Sequence, residues 1–190
     1  TNINEVIYKI FDLETGKCTD IRRADFFDGK YGAYETNFSY VGTTSLSDVL
    51  IWTGVTNDVA YKTTKLVMRK IPAKDVVGTM GDSAAVRKAA SQQANGAFET
   101  NHLVRLSYDY WMGVFEVTRK QFYMMTGKNA KTSTDDNADV LPESNLMFGS
   151  YNTDSACVGL FVVKMRKKTG TTRISPKSTT GTRMVNDRPS

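Results

Sequence analysis

The sequence predicts an α+β fold, on three observations. The first sixty residues are dense in short β-branched and aromatic runs cut by Asp-Gly and Tyr-Gly turns. Residues 102 to 117 carry two further strand patterns in close succession. Two amphipathic stripes of helical period come after them, one opening at Thr118 and one near Thr153 or Asp154.

The elements follow in order. EVIYKIF at 5 to 11 nearly alternates, ETGK at 14 to 17 supplies a turn, and CTDIRRADFF returns, so the chain opens with a hairpin. YETNFSYVG and SDVLIWTGV add short strands, or a strand and a helical turn. Residues 1–60 are therefore expected to form a β-rich N-terminal extension, with a second domain over 61–190. Thr63 to Ile71 reads as a strand with mixed faces, ended by Pro72. Gly81 to Glu99 is rich in Ala, Ser, Gln and Gly and too poor in apolar residues for a buried helix, so an exposed loop with a helical turn is expected there.

HLVRLSYDY and then WMGVFEV give the densest core signal in the chain. Thr118 with Gln121 makes a capping box, Phe122 and Met125 supply the apolar stripe, and Gly127 is placed to close the helix. In the second helix Val158, Phe161, Val162 and Met165 fall on one stripe, Lys164 to Lys168 crowd the last turn, and Gly170 ends it. The expected core is Leu103, Val104, Leu106, Trp111, Val114, Phe115, Val117, Phe122, Met125, Phe161 and Met165.

Composition narrows the function classes. With 190 residues, 40% of them hydrophobic and 11% aromatic, the chain is a folded globular one with a real core. The longest apolar run, Val158 to Val163, is far short of the roughly 18 residues that span a bilayer, so no membrane span is expected. Nothing near Thr1 resembles a secretory signal, which is expected to have been removed or to lie outside the sequence.

Cys18 and Cys157 are too distant for a CxxC motif, and His102 is the sole histidine, so a zinc site is not expected. The count permits a disulfide between them, with two buried free thiols the expected state. The net charge of +5 is carried by the end of the chain, where Lys164, Arg166, Lys167, Lys168, Arg173, Lys177, Arg183 and Arg188 face Asp187 alone. No aromatic residue follows Met165 to stack on bases, so a solvated basic end is expected rather than a nucleic-acid site.

KLVMRKIPAKDVVGTMGD at 65 to 82 and ETNHLVRLSYDYWMGVFEVTRKQFYMMTGKN at 99 to 129 resemble the opening of the formylglycine-generating-enzyme/sulfatase-modifying-factor domain. Gly113, Phe115, Glu116, Val117, Thr118, Gln121 and Phe122 occupy the places of that family's most specific run. Pro142 to Asp154 and the helix from Cys157 to Gly170 fall where the family has its next two segments. The resemblance covers 61 to about 170, roughly the first half of a complete domain, and the chain is incomplete or divergent beyond it. It implies a C-type-lectin-like α+β scaffold with an added β-rich unit. The family's copper-binding cysteine pair and calcium ligands lie in the later half and carry over to no residue here.

The resulting expectation is a non-catalytic secreted or surface-displayed binding module, with the loops 82 to 98 and 128 to 139 carrying recognition of a ligand or protein partner. A structural subunit of an extracellular assembly or homo-oligomer is the alternative. A copper oxidase, which needs two adjacent thiolates, comes well behind. Asp135, Asp136, Asn137 and Asp139 offer the oxygen ligands calcium takes, but without EF-hand spacing or its closing glutamate a solvated acidic loop is expected, and no cofactor. Trp52 and Trp111, with Tyr108 and Tyr110, offer rings for sugar stacking, and core packing is the simpler role for Trp111. Glu116 reads as a carboxylate serving the amides at the start of a helix rather than as a catalytic acid.

Overall fold

A computed structural model of the chain describes residues 2–36, 50–81, 101–128, 138–144, 146 and 158–170. Its strands are β1 (Val6–Asp12), β2 (Cys18–Arg22), β3 (Glu35–Thr36), β4 (Leu50–Ile51), β5 (Lys65–Ile71), β6 (Val77–Met80), β7 (His102–Arg105) and β8 (Tyr110–Gly113). Its α-helices are α1 (Ala24–Phe27), α2 (Arg119–Thr126) and α3 (Val158–Thr169). All strand pairs are antiparallel, in a four-stranded sheet of order β2-β1-β5-β8 and two ribbons, β3 with β4 and β6 with β7. Helices and antiparallel strands together make the α+β class that the sequence predicts.

The opening hairpin forms because its turn is closed locally. Asp12 Oδ1 accepts the backbone N–H groups of Glu14 and Thr15, and Gly16 takes the left-handed φ of 78° that the turn needs. The Thr15 amide holds the Asp12 carboxyl below its ordinary range. Gly16 also lies against the end of α3, where a Cβ would run into the Lys168 carbonyl.

The register sorts the central sheet into two faces. On one, Tyr8, Ile10, Ile21 and Val67 pack with Phe26, Leu50, Trp52 and Val55. The Tyr8 hydroxyl accepts the Trp52 backbone N–H at 3.0 Å, and the indole N–H donates to the Tyr31 carbonyl at 2.8 Å. On the other face Phe11 and Leu66, with Leu13, meet Phe122 and Met125 of α2 and Phe161 of α3. Phe122 and Phe161 stack nearly parallel, with centroids 5.9 Å apart.

The expected division at residue 60 does not coincide with a break in this sheet. β1 pairs with β5 along five positions, from Tyr8 opposite Arg69 to Asp12 opposite Lys65, so strands from both sides of the boundary share one sheet and both core clusters. The core is correspondingly centred on β1 and β5, not on 102 to 117.

Of the expected core, Phe122, Met125 and Phe161 are buried, and Val104, Leu106, Trp111, Val114, Phe115, Val117 and Met165 are half-buried. Leu103 is corrected outright at 75% exposed, because β7 pairs in a two-stranded ribbon instead of joining the main sheet. In α3 the buried pair is Leu160 and Phe161, whereas Val158 is exposed and Val162 half-buried, so the inward face sits beside the expected stripe.

α2 forms as the capping box requires. Thr118 Oγ1 accepts the Gln121 N–H, Gln121 Oε1 accepts the Thr118 N–H, and Gly127 closes the helix at φ 71°. Gln121 is 1% exposed, and its amide nitrogen donates to the Tyr61 and Lys65 carbonyls at 3.2 and 2.6 Å. Thr118 Oγ1 donates to the Lys62 carbonyl at 2.7 Å. These bonds pin the start of α2 to the entry of β5, and so fix where the chain turns out of β8.

Candidate functional site

Two surfaces of the described residues carry exposed or half-exposed apolar and charged side chains outside the two core clusters. The first is the ribbon of β6 and β7. In its register Val77 opposes Arg105 and Thr79 opposes Leu103 on one side, with Gly78 opposite Val104 and Met80 opposite His102 on the other. All eight residues are exposed except the half-buried Val104. Val77, Met80 and Leu103 present their apolar side chains to solvent, as do Val76 and Tyr108 beside the ribbon. An isolated two-stranded ribbon with no buried face is marginal in water. This one is tethered at its base, where Lys74 bridges to Leu106, the Asp75 N–H donates to the Leu106 carbonyl and Arg105 pairs with Asp75 at 2.9 Å. Asp75 takes a left-handed φ of 65° to make that turn.

The second surface is half of the sheet face that α2 and α3 share. Beyond Phe11 and Leu66 the same face continues as Lys9, Met68 and Lys70, flanked by Asp20 on β2 and by Trp111 and Gly113 on β8. Lys9 Nζ pairs with Asp20 and stands 5.2 Å from the centroid of the Trp111 ring. Lys70 Nζ pairs with Glu5 Oε1 at 2.8 Å and with Asp109 Oδ2 at 3.1 Å. Gly113 leaves room for the chain to fold back, since a Cβ there would meet the Phe115 carbonyl.

Asp109 is held below the ordinary carboxylate range, first by the Lys74 backbone amide, which donates to its Oδ1 at 3.1 Å, and then by Lys70. Lys70 is pushed above its ordinary value, chiefly by its bond to Glu5. The Asp109 contribution to stability is thus present above the unfolded carboxylate value of 3.8 and lost as pH falls through the lower folded value. The Lys70 contribution is present below 10.5 and lost as pH rises through the higher folded value. Asp109→Asn is therefore expected to destabilise the protein most at neutral pH, with the gap to the parent narrowing as pH falls from about 6 to about 2. Urea unfolding at several pH values measures it, and a gap that stays constant over that range would contradict this role.

The residues singled out from sequence fare differently. Trp52 is 3% exposed in the aromatic cluster on the opposite side of the sheet, where its indole packs against Tyr8, Phe26, Tyr31 and Tyr61. Tyr108 is exposed and Tyr110 half-buried, and Tyr110 points to the side of β8 opposite Trp111. The three expected stacking residues therefore do not assemble into one platform.

Asp139 pairs with Lys120 of α2 at 3.2 Å, whereas Asp135, Asp136 and Asn137 lie outside the described residues. Cys18 is an exposed free thiol on β2, not a buried one, with its pKa raised by partial desolvation. Cys157, Thr153 and Asp154, the loop 82 to 98, most of 128 to 139 and the basic end beyond Gly170 also fall outside them. Glu116 is exposed, and Thr118 and Gln121 carry the capping expected of it. Among the described residues no helix is long and apolar enough to cross a membrane.

Sequence reasoning missed Lys9, Asp20, Lys70 and the exposure of the 77–80 and 102–105 strands. The signal for Lys9 was present in the alternation of 5 to 11, where it interrupts the apolar run Val6 to Phe11. Comparison of the chain with protein-family models, curated proteins and solved structures returns no match.

Proposed function

We propose that this chain is a non-catalytic binding module, secreted or surface-displayed, built on a formylglycine-generating-enzyme-like scaffold and contacting its partner through the ribbon of β6 and β7. The observation that carries the reading is the ribbon itself, with Val77, Met80 and Leu103 exposed on a tethered arm. Val77 and Leu103, diagonal neighbours on one side of the ribbon, with Met80 on the other, favour an interaction surface over a solvated loop. The scaffold assignment rests on the run from Gly113 to Phe122, whose Thr118 and Gln121 have a defined structural task at the start of α2. Against a cysteine-oxidising role stands the sequence itself, with two cysteines, Cys18 and Cys157, in widely separated segments.

The test is a photo-cross-linking amino acid placed at Leu103, compared with one at Phe27 on α1, which is also exposed. In extracts of the producing cells, position 103 is expected to give a discrete adduct, absent at 27 and suppressed by excess unlabelled protein. An adduct of the chain with itself would move the reading to a structural subunit. No adduct at 103, or equal adducts at both positions, counts against the ribbon as the contact.

A further inference from the structure

We draw no further inference here: the strongest candidate, the outer edge of β6 in its two-stranded ribbon, where Val77 to Met80 are all exposed, belongs to the surface already described, and nothing in the structure shows what covers it.

Discussion

Replacing Phe122 by alanine is expected to destabilise the protein by about 3 to 5 kcal/mol. The ring is 0% exposed and sits where β1, β5, α2 and α3 meet, packed with Phe11, Leu13, Leu66 and Phe161. Truncation loses the transfer free energy of the ring and the stack on Phe161, and leaves a cavity that four elements of fixed register cannot collapse into. For a chain of this length the unfolding midpoint is expected to fall on the order of 10 °C. Because the cluster joins residues from both sides of position 60, the whole sheet is expected to lose stability together. A midpoint within a degree of the parent would contradict the placement of α2 against the sheet.

Gln121→Leu is expected to cost about 3 kcal/mol although it preserves size and removes no apolar contact. The amide is the partner of the Tyr61 and Lys65 carbonyls and of the Thr118 N–H, and leucine leaves all three without a partner in a buried place. Unsatisfied buried groups cost about 1 to 3 kcal/mol each and are not fully additive. Gln121→Glu separates hydrogen bonding from shape. Near neutral pH its carboxylate would face two carbonyl oxygens, so its pKa is raised in the folded state, and part of the lost stability is expected to return as pH falls and the acid becomes a donor. Denaturant unfolding of the two variants at neutral and acid pH measures both effects. A leucine variant within about 0.5 kcal/mol of the parent would show that the network is incidental.

Local chemistry was the legible part of the fold. The opening hairpin, the strand ending at Pro72, the Thr118 and Gln121 box and the glycines closing α2 and α3 each depend on residues within a few positions of one another, and each forms where the sequence places it. Pairing over long separation was not legible. Nothing near Val6 to Asp12 says that its second neighbour is Lys65 to Ile71, and that pairing is what joins the first sixty residues to the rest.

The misreading of Leu103 has the same origin. Alternation reports a strand but not whether its faces are covered, and β7 alternates in an exposed ribbon as readily as in a core. Trp52 is buried and Trp111 only half-buried, an order the sequence does not show because an aromatic residue reads alike in a core and at an edge. What separates them is Tyr8, Phe26 and Tyr31 around one ring and Lys9 beside the other.

Whether the apolar residues of β6 and β7 serve contact rather than folding is tested most directly by the thermal unfolding of Leu103→Ser. A side chain that packs on nothing leaves stability within about 0.5 kcal/mol of the parent when replaced, so the midpoint is expected to move by no more than about 2 °C. A fall of several degrees would show that Leu103 is packed in solution and that the ribbon is part of the core, not a surface held out for a partner.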